Sequence, residues 1–176
     1  MEPETTPFDP DDPGMQSEAA LNSLVRRIEA EIAELHFERF SNNNAISLGM
    51  LLVELGTTRA LPIAVDIRQS DHVLFHAALD GATPDNDLWL RAKSRTAARY
   101  AIPSLLVGLR ARQCGGRAED NPLFDTAIYA AHGGSFPFYI RGAGPVATVT
   151  VSGLPQVQDH NLVVEALRLH QRAAAG

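Results

Sequence analysis

The sequence predicts an α/β (α+β) chain in which an antiparallel sheet of about five strands is flanked by helices. Three observations predict it. Leu21, Leu24, Val25, Ile28 and Ile32 recur at three- and four-residue spacing, the period of a helix with one apolar face. Two pairs of β-prone segments are joined by short polar or glycine-rich turns, at 69–71 and 142–144, as in hairpins. Strands linked as hairpins, rather than in repeated strand–helix–strand units, pair antiparallel.

Taken in order, residues 1–15 carry four prolines and five acidic side chains, a composition expected to form a mobile tail, so the single domain is placed at 16–176. Ser17 is an N-cap for the first helix, whose outer face is expected to carry Arg26, Arg27, Glu29, Glu31 and Glu34. A weak period-two signal over 35–40 predicts a short strand. Asn42, Asn43 and Asn44 offer a turn and cap for a second helix over 45–55, stopping at Gly56. Residues 61–68 and 73–79 read as a hairpin, with Pro62 confined to its start. Pro84 at the first helical position, with Asp85 and Asp87 at the positive end of the dipole, predicts a helix over 85–100. Pro103 breaks or redirects it, 111–122 reads as a loop, and 123–131 as a short helix. The second hairpin pairs 136–141 with 146–152, where β-branched density favours a buried strand. Asp159 caps a last helix carrying Leu162, Val163, Ala166, Leu167 and Leu169.

Composition narrows the function. The chain of 176 residues is 45% hydrophobic, enough for one domain with a core. Its 21 acidic against 15 basic residues give a net charge of −6, which repels phosphate backbones, so no nucleic-acid partner is expected. No run approaches the roughly 20 apolar residues that span a bilayer; the most apolar patch, 48–55, contains Glu54. With no leader-like start, a cytoplasmic protein without membrane insertion is expected. Cys114 is the sole cysteine, which excludes an internal disulfide and a thiolate metal cluster; the bland reading of it is an incidental surface thiol.

Three polar turns carry the candidate chemistry. At His132-Gly133-Gly134-Ser135-Phe136-Pro137, paired glycines let backbone N–H groups converge on an anion or a planar ligand. His132 is a candidate metal ligand or acid/base, with a structural turn as the competing and larger-weight reading. At Val151-Ser152-Gly153-Leu154-Pro155, followed by Asp159 and His160, Ser152 is delivered to a strand end beside a helix N-terminus, which attracts anions. Adjacent helical residues point about 100° apart, so Asp159 and His160 are expected to serve different partners. Asp85, Trp89 and Lys93 are four apart and share a helical face. Together they pave a planar-ligand wall, or Trp89 is a packing anchor with its charged neighbours around it.

The block from Leu61 to Trp89, the His132–Pro137 turn, and Val151–Pro155 with Asp159-His160 together resemble the superfamily of HbpS, GlcG and the PduO C-terminal domain, often called haem-degrading-like. The resemblance covers roughly residues 17–172 and implies a profilin-like α/β domain that assembles into dimers or larger rings. Some members bind haem, iron or corrinoid. A eukaryotic relative of the same branch is an oligomeric adaptor in the handling of tail-anchored proteins. Two positions depart from the family pattern: Ala92 stands for the usual basic residue before Lys93, and Ala147 for a common glycine.

Three functions remain open on this reading. The first is a binder of haem, iron or a related planar or metal-containing ligand. Its cofactor-binding residues would be Asp85, Trp89, Lys93, His132, Gly133, Gly134, Phe136, Ser152, Asp159 and His160. Trp89 would be the stacking wall, Lys93 a propionate partner and His132 the metal ligand. The second is a non-catalytic homo-oligomeric adaptor with Trp89, Phe136 and Tyr139 as interface anchors. The third is an enzyme on a small anionic metabolite, using His132 or His160 as acid/base. Whether the pocket is built within one subunit or between two is left open.

Overall fold

The computed structural model describes residues 9–12 and 16–175, so the expected tail lies largely outside the described residues. In chain order the elements are α1 (Glu18–Glu34), β1 (His36–Phe37), α2 (Asn42–Thr58), β2 (Ala64–Gln69), β3 (His72–Ala78), α3 (Pro84–Tyr100), α4 (Ser104–Gln113), β4 (Ser135–Ile140), β5 (Gly144–Ser152) and α5 (Gln156–Ala175). The strands form one sheet in the order β1-β4-β5-β2-β3. Both hairpins pair antiparallel, and so do the central strands β2 and β5. At one edge β1 lies parallel to β4, which makes the sheet mixed. These two strands are far apart in sequence, so no hairpin turn dictates their relative direction.

The alternation along β5 decides what each face of the sheet carries. Val149 and Val151 point to one face, and Thr148, Thr150 and Ser152 to the other. The aliphatic face packs under α2 and α5, where Leu48, Leu52, Phe136, Phe138, Val163 and Leu167 join one buried cluster. Each such fully buried side chain contributes about 1.5–3 kcal/mol. The opposite face is polar although buried. The register sets Asp66 against Thr150 and Arg68 against Thr148. α3 covers this layer, with Ser94 Oγ 2.7 Å from Thr148 Oγ1. Ser135 Oγ meets Thr150 Oγ1 at 2.9 Å. Outside it, Leu21, Leu24 and Ile28 of α1 pack on Leu105, Leu106 and Leu109 of α4.

Three expectations are corrected. α2 does not stop at Gly56 but runs to Thr58. Gly56 is a close-approach point, where a Cβ would come 2.5 Å from Leu79 Cδ1. Residues 104–110, given no element beyond the Pro103 break, and 111–113, expected in a loop, form the helix α4. Ala101 ends α3 in the left-handed region (φ 55°), and Pro103 is the N-cap of the next helix. Residues 123–131 hold turns rather than a helix; Asp125 accepts from the Ala127 N–H through its side chain, closing a turn instead.

Candidate functional site

The start of α3 is fixed by a capping box. Asn86 Oδ1 accepts from the Thr83 N–H at 2.8 Å, and Pro84 occupies the first turn. This sets the helix phase so that Asp85, Trp89 and Lys93 fall on one face, as expected. Trp89 Nε1 donates to Asp85 Oδ2 at 3.1 Å. The same indole meets the His132 ring edge-on, with centroids 5.1 Å apart and planes at 69°. One turn deeper, Lys93 Nζ donates to Asp159 Oδ2 at 2.9 Å and to the Val151 carbonyl at 3.2 Å.

The glycine turn is shaped to let these groups meet. Gly134 has φ +123°, and a Cβ there would lie 2.3 Å from the Val151 oxygen and 3.0 Å from Lys93 Nζ. A Cβ on Gly133 would lie 2.0 Å from the Gln156 oxygen. The glycines therefore serve close packing of chain on chain. Asp159 does not cap its own helix as expected. α5 already begins at Gln156, and Asp159 Oδ1 reaches back to accept from the Leu154 N–H at 3.0 Å. Ser152 is buried and accepts from Asn86 Nδ2 at 3.4 Å.

The three distant turns thus converge, but on a packed junction. Burial pushes Lys93 down and Asp159 up from their ordinary pKa values, while the attraction between them opposes both shifts. Lys93 is spent on this pair and is not presented to a ligand propionate. His132 keeps its Nδ1 buried with no hydrogen-bond partner, and burial lowers its pKa, favouring the neutral ring. The cavity beside it holds about 40 Å³ and is walled by Pro10, Arg112 and Gln156. A water needs about 10–15 Å³ of such space, so a few waters fit and a macrocycle does not. Among the described residues no group of three or more His, Cys, Asp or Glu side chains is arranged to hold a metal ion.

Phe136 and His160 leave the expected pocket altogether. Phe136 is fully buried in the aliphatic core on the other face of the sheet, because it alternates with Ser135 along β4. His160 is fully buried and its Nε2 lies 2.8 Å from Glu31 Oε2 of α1, pointing away from Asp159 as adjacent helical positions must. Phe136 and Tyr139 are both buried within the chain, so neither is an exposed interface anchor. Trp89, at 38% exposure, keeps that capacity.

Two supporting residues were missed. Ser104 Oγ donates to the His132 carbonyl at 2.6 Å and accepts from the Ser135 N–H at 3.1 Å. Gln156 Oε1 accepts from the Gly133 N–H at 3.2 Å, and its Nε2 donates to Asp11 Oδ1 at 2.9 Å. Both follow a proline that opens a helix, the one local signal that marks them. Also missed was a broad groove of about 1360 Å³ between α2 and the C-terminal half of α5, lined by His36, Arg39, Met50, Leu51, Arg141 and His170.

A family model described as haem degrading protein HbpS-like matches residues 40–168. The chain belongs to this HbpS-like family. A UPF0303 protein of Streptomyces coelicolor is 50% identical over 151 residues, covering 86% of this chain and 96% of its own. A UPF0303 protein of Rhizobium etli is 49% identical over 148 residues, covering 84% and 89%. Among solved structures, the Ybr137w protein superposes with a TM-score of 0.79 at 26% identity, over 91% of this chain and 98% of its own. The PduOC haem complex superposes at 0.63 and 16% identity, over 73% and 93%, a likeness of fold. No described helix of this HbpS-like chain is long and apolar enough to cross a membrane.

Proposed function

We propose that this HbpS-like chain binds haem or a related planar, metal-containing ligand, and that the ligand lies in the groove between α2 and α5. The observation that carries this reading is the groove's make-up. Its volume of about 1360 Å³ accommodates a macrocycle, Met50 and Leu51 supply apolar wall, and two imidazoles stand within it. His170 is half-buried, and burial lowers its pKa, which keeps a nitrogen lone pair available near neutral pH. Arg39 also lines the groove and suits a propionate carboxylate, while Arg141 is held by Glu38 at 2.7 Å on the same wall. Ligand pockets commonly run to about 1,000 Å³, so a groove this wide leaves room for a second copy to cover the ligand in a dimer or larger ring. The family and the haem-containing structure of PduOC support the ligand class.

Haem titration followed by the Soret band tests the reading. The shift is expected to survive in His132→Ala and to be lost or weakened at least tenfold in His170→Ala. Loss in His132→Ala with His170→Ala unaffected overturns the groove.

A second reading, a non-catalytic oligomeric adaptor in the cytoplasm, draws on α2. Ile46 and Met50 are 48% and 54% exposed on its outer side, one turn apart. Light scattering of Met50→Glu tests it: a fall in assembly mass supports an α2 interface, and an unchanged mass removes it.

A further inference from the structure

The acidic segment Asp9–Asp12 is seated on the body of the fold beside His132. The Asp11 N–H donates to Asp9 Oδ1 at 2.8 Å and the Asp12 N–H to the Asp9 carbonyl at 3.2 Å, so the segment closes on itself as a turn. Pro10 is buried, and the small cavity it walls is floored by Leu105, Gly108 and Leu109 of α4. The Pro10 carbonyl accepts from Gln16 Nε2 at 2.9 Å. Asp11 Oδ1 accepts from Gln156 Nε2, also at 2.9 Å.

Gln156 explains why an acidic group sits there. It is 8% exposed, and its Oε1 is committed to the Gly133 N–H. That bond fixes which way the amide faces, so Nε2 presents a donor to whatever covers it and calls for an acceptor. The charge around the donor is complementary. Gln156 opens α5, whose N-terminus is the positive end of the helix dipole. Arg112 lines the same cavity, and Arg112 and Asp11 act on His132 in opposite senses. Arg117 lines it too but is paired with Glu119 at 3.4 Å. The aliphatic floor suits a proline ring, whose fixed φ lowers the cost of ordering the turn. One buried ring and two side-chain hydrogen bonds hold the segment against the conformational entropy of the free chain, which leaves it open to displacement by a competitor.

We propose that the surface formed by Arg112, His132 and Gln156 is a docking site for short acidic, proline-containing peptide segments. The chain's own Asp9–Asp12 occupies it in cis, so a partner segment binds only when this strap is displaced. The site shares no residue with the α2/α5 groove and stands or falls apart from the haem reading.

Titration of the blocked peptide acetyl-Asp-Pro-Asp-Asp-amide into the full chain, followed by amide NMR spectra at residues 112, 133 and 156, tests it. Pro10→Gly combined with Asp11→Ala, in the full chain, is expected to move these signals by releasing the strap. The peptide is then expected to return them saturably towards their unmodified positions. In the unmodified chain the tethered segment competes at millimolar effective concentration, so a response at least about tenfold weaker is expected. Acetyl-Asn-Pro-Asn-Asn-amide, without the carboxylates, is expected to return nothing. Arg112→Gln, a change outside the core added to the strap-released chain, is expected to weaken the peptide at least about threefold. Signals that stay in place in the strap-released chain overturn the proposal, as does a peptide that fails to return them. So do equal responses in the unmodified and strap-released chains, equal responses to the two peptides, or undiminished binding in Arg112→Gln.

Discussion

Lys93 Nζ lies 2.9 Å from Asp159 Oδ2 with the two side chains 4% and 1% exposed. This ion pair ties α3 to the start of α5 across the end of the sheet. It is also the point on which the glycine turn, the strand end and the Trp89 helix all close. The enclosed position makes the pair sensitive to the loss of either member and tolerant of the loss of both.

Lys93→Met alone is expected to destabilise the chain by about 3–5 kcal/mol, because it leaves an uncompensated buried carboxylate. Lys93→Met combined with Asp159→Leu is expected to recover most of that loss. Guanidinium unfolding midpoints check both. A double variant no more stable than the single one would show that the Asp159 bond to Leu154 matters more than the charge pair.

Gly134→Ala should destabilise by more than about 1 kcal/mol, the usual size of a glycine-to-alanine gain where the backbone allows it, here reversed in sign. The backbone sits at φ +123°, and the new methyl would meet the Val151 oxygen and Lys93. Thermal unfolding measures it, with Gly142→Ala as a comparison: φ there is +75°, but no atom lies within 4 Å of a Cβ.

On the far side of α5, His160 Nε2 and Glu31 Oε2 are 2.8 Å apart in the interior. Glu31→Ala leaves the imidazole without its acceptor and should lower stability by about 1–3 kcal/mol. Glu31→Gln retains a carbonyl acceptor and should lose less. Equal losses in the two variants, read from urea midpoints, would remove the hydrogen bond from the account.

Burial lowers the pKa values of His132 and His170 below the ordinary histidine value of 6.5. The unfolded chain then binds protons first as pH falls, so their contribution is full above about 6.5 and is lost below it. Unfolding midpoints should drop between about pH 7.5 and about pH 5.5, less steeply in His170→Gln. An identical slope in that variant would place the pH dependence on other groups.

Much of the fold was legible because it is written in local periods. The strict alternation of Val and Thr along β5, the heptad-like spacing of α1, and the Pro84 start of α3 each reflect one element meeting one neighbour. α4 was not legible for the opposite reason. It is wedged between α1 and the body of the fold, with Ser104, Leu105, Leu106, Val107 and Leu109 all buried, so it presents no polar stripe from which a period could be read. The parallel pairing of β1 was hidden too, since two residues joined to their partner by no turn carry no register signal.

The sequence by itself determined which turns are special: paired glycines, the Asp85-Trp89-Lys93 face and the Asp159-His160 step are local facts of composition and spacing. Only the tertiary structure decided what they do. Gly134 and Asp159 close around Lys93, so the lysine neutralises a buried carboxylate instead of facing a ligand. The α2/α5 groove exists only because elements distant in sequence stop short of filling the space between them. Whether a polar group is satisfied depends on those distant neighbours, and no local pattern encodes it.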